Sequence, residues 1–266
     1  MMNPDERVKA LVQSEMDYMS DRMTAMLEQP GNPMGVEMLR LDNAIAYYSR
    51  SMPWSLFNHV KGRLSPDDVE KVISFHEERG RQPELQIAPS LYEADTLKLL
   101  AKRGFYQSGF HVSMYKDSVK ESDARLPDDK IEVRELSDDE WSTYGDIHCL
   151  GTGLSITGRD HVVDNNRLLH DRPGWHYRIG LVDGRAASVG VMFVKNGVAS
   201  FTFAATLPEE RAKGLHTAIL KGRLLLARQL GCSLVVAQCA YGSASHRNME
   251  RVGMRIGMTR STWSKL

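Results

Sequence analysis

The residues best suited to chemistry cluster in one stretch. "TLPEERAKGLHT" (Thr206 to Thr217) sets Pro208, Arg211, Lys213 and Gly214 between a run that reads as a strand and a run that reads as a helix. The first amides of a helix have no intrahelical partner, and the aligned peptide dipoles make that end positive. Such an end binds anions, phosphate above all. Arg211 and Lys213 add charge, and Gly214 lets a bulky pyrophosphate lie against bare backbone. The predicted chemistry is a grip on a diphosphate beside a strand end. The other common phosphate motifs, GxxxxGK[ST] and GxGxxG after a strand, do not occur in the sequence.

The elements that must position this turn follow from periodicity. Trp175 to Val182, Arg185 to Val194 and Val198 to Ala205 read as three strands in a row, joined by turns at Asp183-Gly184 and Asn196-Gly197. A helix then runs to about Leu230, with Leu215, Ile219, Leu226 and Leu230 on its buried side and Gly231 as its stop. "CSLVVAQC" (Cys232 to Cys239) reads as a buried strand, Ser243 to Val252 as a helix and Arg255 to Trp263 as a closing strand. Upstream, Ile131 to Arg134 reads as a strand and Asp138 to Leu150 and Arg159 to Asp171 as helices.

The first half reads as a helix from Pro4 to Glu28 and two short strands within Val36 to Arg50, broken at Asp42-Asn43. A helix opens at Ser65-Pro66, with Val69, Val72, Ile73 and His76 inward and Gly80 as its end. A strand (Glu84 to Ala88), a helix (Ser90 to Arg103) and a strand (Phe105 to Tyr115) follow. The polar stretch "DSVKESDARLPDDK" reads as a linker. The expected domains are 1–120 and 131–266, with 121–130 between them. Both halves run helix, Gly, strand, helix, Gly, strand, and the glycines correspond at nearly one offset (80 to 231, 104 to 253), which points to an internal duplication.

Composition narrows the function. The chain has 266 residues, and its 34 basic and 34 acidic residues cancel, which argues against broad binding to nucleic acid or an anionic membrane. Three cysteines without a C-x-x-C pair predict neither a disulfide framework nor a metal site. The stretch "MMNPDER" has no apolar signal core, so a cytoplasmic protein is expected.

The stretch from "TFAATLPEERAKGLHT" through "CSLVVAQC" and "GSASHRNMERVGM" resembles the Gcn5-related N-acetyltransferase (GNAT) superfamily, in which Arg-x-x-Gly-x-Gly/Ala opens a helix after a strand. Arg211, Lys213 and Gly214 match the motif, Ala212 is one of its two free positions, His216 stands where Gly or Ala is usual, and Gly253-Met254 replaces Gly-Phe. The resemblance covers Ile131 to Leu266 by element order, and Val36 to Lys116 as a half without the phosphate turn. It implies an α/β fold of two GNAT-like domains, the first degenerate, each a mixed, mostly antiparallel sheet flanked by helices.

It also implies an acetyl-CoA site. Backbone groups of Ala204, Ala205 and Thr206 would pair with the pantetheine arm, and Arg211, Ala212, Lys213, Gly214, Leu215, His216 and Thr217 would hold the pyrophosphate, with Ser245 touching CoA. The implied reaction is direct attack of an amine of a small molecule or peptide on the thioester, with no metal. The family's acid, a Tyr in the last helix, falls at Met249, and its Asn at that helix's start falls at Gly242. Tyr241 is the substitute acid. The alternative is a non-catalytic acyl-CoA-binding or sensing protein. Edge strands leave room for a homodimer. Three side readings stay open: His148-Cys149 as a base-nucleophile pair or merely neighbours in sequence, His246 as a base or a solvated helix residue, and Cys239 facing the acyl group or packed as a small apolar residue.

Overall fold

A computed structural model describes residues 2–117, 119–120 and 130–266; of the stretch expected as a linker only Asp117, Val119, Lys120 and Lys130 are among them, and Asp117 ends a strand rather than opening a linker. In chain order the elements are α1 (Pro4–Leu27), β1 (Val36–Arg40), β2 (Ala44–Ser49), β3 (His59–Gly62), α2 (Pro66–Glu77), β4 (Glu84–Ile87), α3 (Ala94–Lys102) and β5 (Phe105–Asp117). Then come β6 (Ile131–Glu135), α4 (Trp141–Thr152), α5 (Arg159–His170), β7 (Trp175–Val182), β8 (Arg185–Lys195), β9 (Val198–Thr206), α6 (Leu215–Gln229), β10 (Leu234–Cys239), α7 (Ala244–Arg251) and β11 (Arg255–Lys265). Residues 1–113 with 256–266 form one compact unit, and residues 114–255 form another.

In the first unit the strand order is β1-β2-β3-β4-β11-β5. β1, β2 and β3 pair antiparallel, β3 and β4 pair parallel, and β11 runs antiparallel to β4. Val60, Val69, Val72, Leu85, Ile87 and Leu100 are its core, with Trp263 of β11 packed against them. β11 was expected to close the second half. Its apolar face instead completes this core, and Ser261, Thr262 and Trp263 lie opposite Ile87, Gln86 and Leu85. β3 was not anticipated: four residues carrying His59 and Lys61 do not show an apolar alternation, yet all four are buried.

A buried charge cluster ties α1 to this sheet. Glu15 on α1 is 2% exposed. It pairs with Lys61 of β3 at 2.6 Å and with Arg260 of β11, and it accepts from Ser113 Oγ at 2.9 Å. Burial alone would raise the Glu15 carboxyl; the charges of Arg260 and Lys61 override it and hold it at about 2.

In the second unit the strand order is β10-β9-β8-β7-β6. β6 through β9 form an antiparallel meander, and β10 returns parallel to β9 by way of α6, a βαβ crossover. α6 lies on the sheet through Leu215, Ala218, Ile219, Leu220, Leu224 and Ala227. Leu230, expected on the buried side, is 45% exposed, because α6 ends at Gln229 and the chain turns away.

Both units contain the sequence of a parallel strand pair around one helix, then a second helix: β3-α2-β4-α3 and β9-α6-β10-α7. They differ at the helix start. The Asp68 carboxylate covers the α2 N-terminus, taking the Ser65 amide at 3.2 Å and its hydroxyl at 2.7 Å. The α6 N-terminus has no side-chain cap.

Candidate active site

The turn before α6 starts with a short 3-10 helix, Pro208–Glu210, whose first proline sets its direction. Arg211 is extended. Ala212 has φ 62° and Gly214 has φ 86°, so two residues in four lie in the left-handed region. For Gly214 this costs little; for Ala212 it is strained backbone of the kind that collects at functional sites. The result turns the Leu215, His216 and Thr217 amides outward with no intrahelical acceptor.

These amides open onto a cavity of about 460 Å³, lined by Gly151, Ala204, Ala205, Thr206, Glu210, Arg211, Ala212, Gly214, Leu215, His216, Thr217, Ala244, Ser245, Asn248 and Arg251. Every expected binding residue except Lys213 is in this wall. Lys213 turns aside to Glu210, 3.0 Å away. Arg211 Nη2 donates to the Gly151 carbonyl at 2.8 Å, which fastens the turn to the end of α4. Gly151 is needed there: a Cβ would come within 2.8 Å of Ala205 Cβ and 3.1 Å of the Thr206 nitrogen. Gly151, Ala244, Asn248 and Arg251 also line the cavity, although the sequence offered no reason to expect them there.

β9 supplies an open edge. Its parallel pairing with β10 stops at Phe201 opposite Ala237, although β9 continues to Thr206. On its other side β9 stays paired with β8 as far as Thr206. Val191 lies opposite Phe203 and Met192 opposite Phe201, so Thr202 is an extra residue, a β-bulge at the point where the pairing with β10 ends.

A second cavity of about 230 Å³ sits at this bulge, lined by Phe201, Thr202, Phe203, Ala204, His216, Arg223, Gln238, Ser245 and Met249. Ala204, His216 and Ser245 line both cavities. Asn248 Nδ2 donates to His216 Nδ1 at 3.0 Å, which leaves the ring proton on Nε2. Burial, with the Arg223 charge, pushes the His216 imidazole down to about 4, so it is neutral at pH 7. Arg223 is 1% exposed. Its Nη1 donates to the carbonyls of Val191 (3.1 Å) and Phe203 (3.0 Å), its Nε to Ile219 (3.3 Å), and its guanidinium stacks on Phe201. The sequence held a signal for it: Leu215, Ile219 and Arg223 recur at four-residue steps, an arginine on the apolar stripe.

The remaining candidates fall elsewhere. Tyr241 is 72% exposed, tilted against the His246 ring, and lines neither cavity. Met249 is buried in the wall of the second. His246 is 5% exposed and accepts the Gly242 amide on Nδ1 at 3.2 Å, so it is not a solvated residue. Cys149 is buried inside α4 and burial raises its thiol, while His148 stacks on Phe203 at 4.0 Å; they do not form a nucleophile-base pair. Burial, with the Glu250 charge, lifts the Cys239 thiol to about 11, and Cys239 lines neither cavity. No group of metal-ligating residues occurs among the described residues, and no helix of theirs is long and apolar enough to cross a membrane.

No family model and no curated protein matches this sequence. Solved structures do match it in shape. A GCN5-related N-acetyltransferase from Kribbella flavida superposes with TM-score 0.66 at 11% identity, covering 94% of each chain. A tandem GNAT protein from the clavulanic acid biosynthesis pathway gives 0.63 at 11% identity, covering 96% of this chain and 94% of its own. A GCN5-related N-acetyltransferase from Sphaerobacter thermophilus gives 0.60 at 12% identity, covering 99% and 93%. The bulged strand edge, the uncapped helix turn and these superpositions agree: this chain has the fold of the GCN5-related N-acetyltransferases.

Proposed function

We propose that the chain binds an acyl-CoA, acetyl-CoA in the simplest case, and transfers its acyl group to an amine of a small molecule or peptide. The carrying observation is the uncapped α6 N-terminus opening into the same cavity as the unpaired edge of β9. The residues present fit such a ligand. The free amides of 215–217, with Arg211 and Arg251 in the wall, suit a pyrophosphate. Ala204 to Thr206 offer backbone groups without a β10 partner to an amide-bearing arm. Thr206 Oγ1 is buried with no partner in the same wall.

Bound there, an acyl-CoA would supply an activated carbonyl carbon: the amine nitrogen bonds to it as the C–S bond breaks, and CoA leaves as the thiol while the amine gives up a proton. β9 amides at the bulge would donate to an oxygen that gains charge. His216, neutral and holding its proton on Nε2, serves as a hydrogen-bond donor rather than an acid. A thiol ionises near pH ~8.5 and is a fair leaving group unaided.

A second reading, a non-catalytic acyl-CoA binder, draws on Met249, which has no proton to give, and on Tyr241, whose hydroxyl lies outside both cavities. The deciding experiment is thermal unfolding with CoA and acetyl-CoA, then a screen of amines. Ligand at about 100 times its Kd should stabilise by ~2.7 kcal/mol. That raises Tm by about 2–4 °C for each kcal/mol, and Arg211→Glu should remove the shift. No shift with either ligand would sink both readings; a shift without turnover of any amine would leave the second.

A further inference from the structure

The second cavity collects donors and no acid. Arg223 is fully buried, and no carboxylate pairs with it among the described residues. Its Nε and Nη1 are used by three carbonyls, two of them beside the bulge, so part of the side chain is a clamp on β8 and β9. That role leaves Nη2 without an acceptor among the described residues. Two more groups of the same wall are buried and unpartnered: Gln238 Nε2, a donor, and Thr202 Oγ1, which can donate. No Asp or Glu lines the cavity. A buried cation with unpartnered donors around it is costly unless an anion completes it.

The position says what kind of anion. The cavity adjoins the first through Ala204, His216 and Ser245, at the bulge end of the open β9 edge. A ligand lying along that edge, its phosphates at the α6 turn, would present its thioester end here. The space, about 230 Å³, is more than the three heavy atoms of an acetyl group fill.

We propose that the second cavity holds the carboxylate of a carboxyacyl-CoA, a monothioester of a short dicarboxylic acid, with Arg223, Gln238 and Thr202 as its specificity residues. This rests on the acyl-CoA reading. The transfer is unchanged: the C–N bond forms as the C–S bond breaks, the amine proton is lost as the thiolate gains one, and the amide keeps the free carboxylate.

Calorimetric titration of the full chain with CoA, butyryl-CoA and succinyl-CoA tests it. Butyryl-CoA has a short chain without the charge. Succinyl-CoA should bind about tenfold or more tighter than butyryl-CoA, the size expected for charge-assisted bonds. Arg223→Gln should bring the ratio towards one, and Gln238→Leu should lower it. If Arg223→Gln does not fold, as its circular dichroism would reveal, the wild-type ratio and Gln238→Leu decide. Equal binding of the two donors, or a preference that survives in a folded Arg223→Gln, overturns the proposal while leaving the acyl-CoA reading intact. Failure of CoA itself to bind overturns both. If the carboxylate preference appears only when glycine is compared with methylamine in the presence of CoA, the carboxylate belongs to the acceptor and the donor assignment is wrong.

Discussion

At the scale of single residues, the site is built by departures from ordinary side-chain behaviour. Gly214 holds φ 86° at the start of α6, a region costly to any residue with a Cβ. Gly214→Ala should lower stability by about 1 kcal/mol, a fall in Tm of roughly 2–4 °C. His216 is the other such residue. Burial and Arg223 depress its imidazole to about 4, against 6.5 for an ordinary histidine. An NMR titration should find its Cε1–H resonance unmoved from pH 7 to 5 and shifting near 4; a midpoint near 6.5 would refute the burial argument. The unfolded chain protonates this histidine first, so its contribution to stability is complete above pH 6.5 and is lost as pH falls towards 4. The glycines and the Arg211 turn were legible in the sequence because each has a local signature. His216 was legible only as an oddity, since its partners Asn248 and Arg223 lie far along the chain.

At the scale of elements, two contrasts carry the argument. α2 and α6 occupy equivalent places in their units, yet Asp68 covers one N-terminus and, among the described residues, the other has no side-chain cap. The second contrast concerns β11, which follows α7 in the chain but pairs with β4. Removing residues 256–266 should strip the first core of Trp263 and leave Glu15 without Arg260. Amide hydrogen exchange in β4 should then speed up by orders of magnitude, and unchanged protection would refute the role of β11. Glu15→Gln tests the cluster directly. It leaves Lys61 and Arg260 buried without their carboxylate, which should cost about 3–5 kcal/mol. In the wild type the folded carboxyl titrates near 2 and the unfolded one near 4.5. The unfolded chain therefore binds the proton first as pH falls, and this stabilisation disappears between pH 4.5 and 2. Denaturation midpoints across that range should drop more steeply in the wild type than in Glu15→Gln.

At the scale of the whole molecule, the two units differ in what they contain. Every residue lining the two cavities lies within 114–255. Saturating CoA should slow hydrogen exchange in β9 and the first turn of α6 and leave β1 to β3 unchanged. Protection appearing first in the residues of β1 to β3 would place the ligand elsewhere.

Strands β6 to β10 and their helices were readable in the sequence because each carries a local signal: apolar runs bounded by turn residues in the strands, three- and four-residue steps in the helices, glycine or Asn-Gly at the ends. The turn before α6 was readable for the same reason, since its proline, arginine and glycine act on the backbone within a few residues. The pairing of β11 with β4 was not, because Arg255–Lys265 could complete any sheet with a matching edge, and only the apolar face left open in the first unit selects one. Nor was the bulge at Thr202, which depends on register across three strands. The second cavity needed the tertiary fold most of all. Arg223, Gln238 and Thr202 come from a helix and two strands, and they line one space only after those elements have packed.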